Sequence, residues 1–140
     1  MKPSKKAKIY SDGGARGNPG PAAVGVLICD EQDHKLGDHS EVIGKATNNV
    51  AEYTAVLRAL TLASELGLEE IDYFLDSELV ARQLSGVYQL KAENLKPLFL
   101  GVKEKEKKFK KIHYFHVPRE HEKIKYVDRL VNIALNKAGH

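Results

Sequence analysis

The first third of the chain contains short apolar segments separated by turn residues. Ile9–Ser11, Ala22–Cys29 and Leu36–Ile43 are predicted strands, because apolar runs of this length between Gly, Pro and Asp residues are typical of strands. The segments Ala15–Pro21, which contains Gly-Asn-Pro-Gly, and Asp30–Lys35 are predicted turns. Short turns between consecutive strands favour an antiparallel meander.

From residue 48 onwards the apolar positions recur with helical spacing. Asn48–Leu66 is a predicted helix, rich in Ala and Leu and ended by Gly67. The later predicted elements are a strand over Ile71–Leu75, a short helix over Ser77–Leu84, a helix over Ala92–Phe109, a strand over Ile112–Val117, a loop over Arg119–Tyr126 and a last helix over Val127–Ala138. Pro97 either lies in the first turn of its predicted helix or breaks that helix. This order predicts a mixed α/β sheet with right-handed crossovers.

Composition is compatible with one globular domain over residues 1–140, in which residues 1–7 form a short basic tail. Hydrophobic residues make up 42% and charged residues 29% of the 140, which excludes a disordered or collagen-like chain. No apolar run approaches the ~18–20 residues of a membrane span, and the basic start lacks the apolar segment of a secretory signal. A single cysteine, Cys29, forms no internal disulfide. We therefore expect a monomeric cytoplasmic protein with no membrane partner.

Charge is distributed unevenly along the chain. Residues 1–90 carry nine basic and thirteen acidic side chains, whereas residues 91–140 carry thirteen basic and six acidic ones. A basic C-terminal third indicates a surface for a polyanion such as nucleic acid. The alternative is that Lys103–Lys111 is only the solvated end of a helix.

Glu52 occupies an unusual position for a carboxylate. Val56, Leu60 and Ala63 follow it at the spacing of the buried face of its helix. A carboxylate on that face needs a partner or a cation, because burial of an unpaired charge costs several kcal/mol. The alternative is a capping box formed by Asn49 and Glu52.

Three further carboxylates stand at predicted element boundaries. Asp12 and Asp76 each end a predicted strand, where ligands commonly bind in open α/β sheets, and Asp128 begins the last helix. Each has a purely structural alternative: an Asx turn for Asp12, a helix N-cap for Asp76 and a first-turn acid that complements the helix dipole for Asp128.

The four carboxylates together favour a metal site over four separate structural roles. If the strands of Asp12 and Asp76 are parallel neighbours, the helix of Glu52 crosses their ends, and the last helix can bring Asp128 to the same edge. Such a cluster would repel itself, and oxygen-only ligands select Mg²⁺ or Mn²⁺. Two such ions about 3.5–4 Å apart are the arrangement that catalyses phosphodiester hydrolysis.

The sequence resembles type 1 ribonuclease H over nearly its whole length, from Lys8 to Ala138. The matching motifs are Ser11-Asp12-Gly13-Gly14 with Gly17-Asn18-Pro19-Gly20, Thr47-Asn48-Asn49 with Ala51-Glu52, Asp76-Ser77 with Leu79-Val80, Lys91–Leu98, and Asp128-Arg129-Leu130 with Asn132-x-Ala134. Each motif is weak alone, but they occur in the family's order, and four of them contain one of the carboxylates singled out above.

The resemblance implies a five-stranded mixed sheet of order 3-2-1-4-5 flanked by helices. It also implies a metal-dependent endoribonuclease that binds two Mg²⁺ ions and cleaves the RNA strand of RNA–DNA hybrids to 5′-phosphate and 3′-hydroxyl ends. The carboxylates implied as metal ligands are Asp12, Glu52, Asp76 and Asp128, with Asp12 bridging both ions and Glu52 touching a ribose 2′-hydroxyl. Residues implied in substrate binding are Gly13, Asn18, Thr47, Asn48, Asn49 and Ser77.

The chain departs from the family pattern in several places. Many relatives carry a separate basic handle with Trp residues, whereas this chain has only Val87–Leu90 there and no Trp. We expect the lysines of Lys91–Lys111 to replace the handle in part. Glu78 stands where some relatives have Gln. His121 is the candidate for a histidine that assists product release, and its alternative is an ordinary surface histidine.

Two other functions compete with this hypothesis. A non-catalytic hybrid-binding module would keep Thr47, Asn48 and the lysines but lose the carboxylates, and all four carboxylates are present. A related nuclease for double-stranded RNA or DNA junctions would use the same metal site, so the sequence leaves the substrate range open.

Overall fold

The structure is a computed structural model that describes residues 5–140. In chain order its elements are β1 (Lys6–Ala15), β2 (Gly20–Cys29), β3 (Lys35–Ala46), α1 (Asn48–Glu65), β4 (Glu70–Leu75), α2 (Glu78–Leu84), a 3₁₀ turn (Glu93–Leu95), α3 (Lys96–Glu106), β5 (Lys111–His116) and α4 (Glu122–Lys137).

The five strands form one mixed sheet in the order β3-β2-β1-β4-β5, as the family resemblance implied. The pairs β1–β2 and β2–β3 are antiparallel, whereas β1–β4 and β4–β5 are parallel. The parallel pairing of β1 with β4 ends at Tyr10 and Phe74. Beyond that point the two strands separate, and the carboxyl end of β4 opens a cleft beside β1.

Helices cover both faces of the sheet. On one face, α1, α2 and α3 pack over a large core that contains Ile9, Ile28, Tyr53 and Leu60. On the other face, α4 packs over a smaller cluster that includes Tyr10, Leu27, Cys29, Ile124 and Val127. The alternation of neighbouring residues such as Ile9 and Tyr10 between these two cores follows from the period of two in a strand.

β1 is longer at both ends than the sequence predicted. It begins at Lys6 and buries Ala7, so the strand includes two residues of the predicted basic tail over 1–7. Residues 1–4 of that tail lie outside the described residues. β1 also continues to Ala15, because Asp12 to Ala15 pair with β2. The prediction that Asp12 ends its strand was therefore wrong.

The last helix begins five residues earlier than predicted, at Glu122. The predicted loop over Arg119–Tyr126 is thus helical in its second half, because buried Ile124 extends the inward-facing stripe by one turn. The predicted helix over Ala92–Phe109 divides into the 3₁₀ turn and α3, with Pro97 in the first turn of α3. No helix within residues 5–140 is long and apolar enough to cross a membrane.

Candidate active site

Three of the predicted carboxylates meet beside the carboxyl end of β4. Asp12 lies in β1 two residues beyond the last parallel pair, Asp76 directly follows β4, and Glu52 is the fifth residue of α1. One carboxylate oxygen from each of the three lies within 4.8 Å of the other two. The structure therefore brings together the residues that the sequence placed at one sheet edge.

Two glycines let α1 and α4 approach the sheet closely enough to bring their carboxylates to the cleft. A Cβ atom on Gly13 would lie 2.2 Å from the carbonyl carbon and oxygen of Ala51 and 2.6 Å from the backbone nitrogen of Glu52. On the other face, a Cβ atom on Gly25 would lie 2.5 Å from the carbonyl oxygen of Val127. Glycine at both positions allows the backbones of α1 and α4 to touch the sheet next to Glu52 and Asp128.

Asp128 lies at the rim of the same cleft. It is exposed, and it shares the cleft lining with Asp12, Glu52 and Asp76. Its carboxyl group contributes to the raised pKa of Asp12. Because Asp128 is the seventh residue of α4, the alternative of a first-turn acid at the helix dipole was wrong.

The capping alternatives for the other carboxylates were wrong as well. Thr47 is the N-cap of α1, and its hydroxyl accepts a hydrogen bond of 3.2 Å from the backbone N–H of Val50. Ser77 is the N-cap of α2, and its hydroxyl accepts from the N–H of Val80 in the same way. Glu52 and Asp76 are therefore not N-cap residues. Asp12 lies in a paired strand and not in an Asx turn.

Burial and mutual repulsion disfavour ionisation of this cluster. Burial, followed by the charges of Asp76 and Asp128, raises the pKa of Asp12 to about 8. Burial and the charge of Asp76 raise the pKa of Glu52 to about 7, against the opposing effects of the Ser77 hydroxyl and Arg119. An uncompensated negative charge of this kind is what a bound cation would relieve.

The donor chemistry of the cleft fits hard divalent cations. Its clustered ligand atoms are carboxylate oxygens, which Mg²⁺ and Mn²⁺ prefer, and it lacks the sulfur or imidazole ligands typical of zinc or copper sites. Asp12, Glu52 and Asp76 could hold one ion between them. Asp128 lines the same cleft from α4.

The residues implied in substrate binding lie in and beside this cleft. Asn18 accepts a hydrogen bond of 3.0 Å from the N–H of Asn48, and the side chain of Asn48 accepts one of 2.9 Å from the N–H of Ala15. These bonds fix the β1–β2 turn against the start of α1. Thr47 and Asn49 line a groove there together with Asn18, Asn48, Ala92, Asn94 and Leu95. Ser77 lowers the pKa of Glu52, whereas Gly13 has the packing role described above.

His121 lies apart from the carboxylates. Its Nδ1 accepts a hydrogen bond of 3.1 Å from the N–H of Lys123, so it caps α4, and its ring lies 5.4 Å from that of Tyr10. It is not among the residues that line the cleft. The structure thus shows His121 in a capping position, and its role in product release stays a prediction.

Three cleft residues were not singled out from the sequence. Arg16 and Asn132 line the cleft with Asp128, and the Nε of Arg119 lies 4.0 Å from Oδ2 of Asp76. Asn132 belongs to a quoted motif, and its i+4 spacing from Asp128 was the available signal. Only the fold reveals what the two arginines contact: Arg119 approaches Asp76, and Arg16 donates to the side chain of Asn132.

The lysines of the basic third do not gather at the cleft. Lys103 donates to the carbonyl oxygen of Leu84 and lies over the ring of Tyr114, so it serves packing. The backbone N–H of Lys110 bonds to the carbonyl oxygen of Glu69, just before β4, whereas the carboxylates lie at the opposite end of that strand. Lys103 and Lys110 therefore lie away from the cleft, and the expectation that the lysines of Lys91–Lys111 replace the handle in part stays a prediction.

Comparison with known proteins connects this site to a family. A sequence profile described as reverse transcriptase-like matches residues 10–134. The chain is 40% identical over 136 residues to a bifunctional protein of Mycobacterium tuberculosis, and this match covers 96% of the chain but 36% of the relative. It is 35% identical to the ribonuclease HI of Halobacterium salinarum, covering 99% of the chain and 69% of the relative.

The fold is also shared with a solved structure of a complex. The crystal structure of LC11-RNase H1 with an RNA/DNA hybrid superposes with a TM-score of 0.89 at 42% identity, covering 96% of this chain and 99% of that one. The chain spans about a third of the length of its mycobacterial relatives, but most of the length of the archaeal one. These similarities, which extend across the sheet and the carboxylate cleft, show that the chain belongs to the ribonuclease HI family.

Proposed function

We propose that this chain is a metal-dependent endoribonuclease that hydrolyses the RNA strand of RNA–DNA hybrids, with residues 1–140 acting as one catalytic domain. The observation that carries the proposal is the cluster of Asp12, Glu52 and Asp76 within 4.8 Å, next to Asp128. The products are 5′-phosphate and 3′-hydroxyl ends. A hybrid-bound family member of the same fold supports the choice of substrate.

The four carboxylates would hold two Mg²⁺ ions, or Mn²⁺ in their place. When bound, such a pair activates water for attack and stabilises the leaving oxygen. The charges of Asp76, Asp128 and Glu52 all act on Asp12, which would therefore contact both ions. The hydroxyl of Ser77, which caps α2, lowers the pKa of Glu52 and so favours the ionised carboxylate that a cation needs.

The groove formed by Thr47, Asn48, Asn49 and Asn18 would receive the hybrid. Amide side chains suit the wide minor groove of an A-like duplex, where the 2′-hydroxyl groups and base edges are accessible. The N-terminus of α1 offers a threonine hydroxyl beside exposed asparagines, which suits a backbone phosphate. Specificity then follows from a ribose 2′-hydroxyl near Glu52 on one strand and a DNA phosphate near Thr47 on the other.

The first test compares substrates. Labelled RNA–DNA hybrid, double-stranded RNA and double-stranded DNA are each incubated with the protein in Mg²⁺ and in chelator. We expect cleavage of the RNA strand of the hybrid in Mg²⁺ only. Binding without cleavage would support the hybrid-binding module, and equal cleavage of double-stranded RNA would support the broader nuclease.

The second test assigns the carboxylates. We expect Asp12→Asn and Asp76→Asn each to reduce cleavage by several orders of magnitude while hybrid binding, measured by filter retention, is preserved. The reason is that these side chains contact metal and not nucleic acid in the proposed site. The matched control is Asp72→Asn, which removes a carboxylate of β4 that lies 3.8 Å from Lys6 and outside the cleft. Retention of a tenth of wild-type turnover by either cleft variant would contradict its assignment.

A further inference from the structure

Asp128 differs from the other three carboxylates in how it is held. Asp12, Glu52 and Asp76 are partly buried between β1, β4 and α1, whereas Asp128 is exposed on α4 and lies outside the group within 4.8 Å. An exposed aspartate samples several rotamers unless a neighbour fixes it. A group that fixes Asp128 would therefore influence the metal site directly.

Asn132 makes such contacts from the next turn of α4. Its Nδ2 donates a hydrogen bond of 3.0 Å to the carbonyl oxygen of Asp128 and lies 3.5 Å from Oδ2 of the same residue. A side-chain amide has two N–H donors on one atom, so both contacts are compatible with a single orientation. The amide nitrogen thus faces the carboxylate that the proposed site needs.

Arg16 fixes that orientation from the β1–β2 turn. Its Nη2 donates a hydrogen bond of 3.2 Å to Oδ1 of Asn132, and its Nη1 donates to the carbonyl oxygen of His140. Because a guanidinium can only donate, it can pair only with the oxygen side of the amide. The nitrogen side of Asn132 is consequently directed to Asp128.

We propose that Asn132, oriented by Arg16, is a positioning residue that holds the Asp128 carboxylate in place for metal binding. The inference rests on the proposed function, in which Asp128 is a metal ligand. Groups that hydrogen-bond to metal ligands commonly change metal affinity by 10–100-fold when they are removed. The hydrogen bonds from Arg16 to Asn132 and from Asn132 to Asp128 therefore link the β1–β2 turn to the cleft.

The test measures metal binding without substrate. Mn²⁺ is titrated calorimetrically into wild type, Asn132→Ala, Arg16→Ala and the double variant. Melting in chelator verifies that each variant is folded. We expect Asn132→Ala to weaken Mn²⁺ binding roughly tenfold and Arg16→Ala to weaken it less. The double variant should match Asn132→Ala, because residues that act through one contact are not additive.

The matched control is Arg129→Ala, which removes an exposed arginine next to Asp128 that does not line the cleft. A purely structural role for Asn132 would lower the melting temperature without changing the affinity for Mn²⁺. If Asn132→Ala binds Mn²⁺ within twofold of the affinity of the Arg129→Ala control, this inference is overturned while the proposed function stands. Failure of the wild type to bind Mn²⁺ would overturn the proposed function together with it.

Discussion

Asp12 shows at the scale of one residue how the fold creates chemistry from a common side chain. It lies opposite Gly25 in β2 and is surrounded by Glu52, Asp76 and Asp128. Burial and these neighbours raise its pKa to about 8, so its ionised form is unfavourable in the folded chain without a cation. The folded state thus carries an electrostatic cost that depends on pH.

Without metal, we expect the stability of the wild type to fall as pH rises from about 4 to about 8. The folded-state pKa of Asp12 is about 8, well above its value of 3.8 in a model peptide, so the folded state binds the proton more tightly. The stabilisation that the bound proton contributes is complete when the pH is below the pKa of Asp12 in the unfolded state. It is lost as the pH rises through the pKa of Asp12 in the folded state. The check is melting in chelator across this range, where about 1 kcal/mol shifts the melting temperature by roughly 4 °C.

The comparison variant is Asp12→Asn, which carries no charge at any pH. It should melt at a higher temperature than wild type at pH 8 in chelator, and its pH dependence should be flatter. Mg²⁺ should raise the melting temperature of the wild type more than that of Asp12→Asn, because a ligand that binds the native state stabilises it by mass action. If Asp12→Asn instead melts below wild type at pH 8, the carboxylate stabilises the apo fold and the repulsion argument is wrong.

Capping roles show the limit of prediction for single residues. The sequence allowed Asn49 with Glu52 as a capping box and Asp76 as an N-cap, but Thr47 and Ser77 are the caps. Asn caps at least as well as Thr, and Asp caps as well as Ser, so propensity alone could not choose the cap residues. The four carboxylates nevertheless line one cleft, as expected from their positions at the ends of strands and on helix faces.

At the scale of elements, the site depends on how closely α1 and α4 lie on the sheet. Gly13 and Gly25 occupy the contact points on opposite faces, next to Glu52 and Asp128. The family resemblance implied Gly13 in substrate binding, and an Asx turn at Asp12 before Gly13 and Gly14 was only an alternative. The packing role of Gly13 became visible only with the distance between β1 and α1.

We expect Gly13→Ala to impair both stability and catalysis. The added Cβ would lie 2.2 Å from the backbone of Ala51, a distance that forces α1 and Glu52 to move. Overpacking of this kind typically costs about 1–3 kcal/mol, and displacement of a catalytic group by 1 Å can cost about 10²-fold in rate. Thermal melting and hybrid cleavage at saturating Mg²⁺ measure the two effects.

The adjacent glycine provides the control. A Cβ atom on Gly14 would have Val131 Cγ1 as its nearest heavy atom at 3.8 Å, an ordinary van der Waals contact. Gly14→Ala should therefore keep wild-type activity and melting temperature. Equal behaviour of the two variants would show that close approach at Gly13 does not position Glu52.

Element boundaries were predicted less well than element types. The strand order, the parallel pairing and all four α-helices correspond to expectation, whereas α4 begins at Glu122 and β1 continues to Ala15. In both α4 and β1, residues that lack an apolar side chain continue the element because contacts with the rest of the fold stabilise it. Glu122 and Lys123 lie in the turn that brings Ile124 into the core, and Gly13 and Gly14 pair with β2.

For the whole molecule, the charge asymmetry of the sequence does not translate into one basic face at the site. Glu70 pairs with Lys111 at the start of β4 and β5, and six residues of strand at ~3.3 Å each place Asp76 roughly 20 Å away. The basic segment before β5 therefore lies at the far end of the sheet. Linear charge counts could not reveal this, because α3 runs away from the cleft.

The lysines near the groove offer a direct comparison with those at the far end. Lys45 lies two residues before Thr47, and Lys91 is adjacent to Ala92 in the groove lining, whereas Lys107 and Lys108 lie near the start of β5. Each phosphate contact contributes about 0.9 to the slope of log affinity against log salt for duplex DNA. We expect Lys45→Ala/Lys91→Ala to reduce the slope for hybrid binding by about 1–2, and Lys107→Ala/Lys108→Ala to leave it unchanged. Both double variants remove two positive charges, so a general effect of net charge would change their salt slopes equally. A reduced slope in the second variant alone would mean that the hybrid extends to the far end of the sheet, and the groove beside Thr47 would then not be its main electrostatic contact.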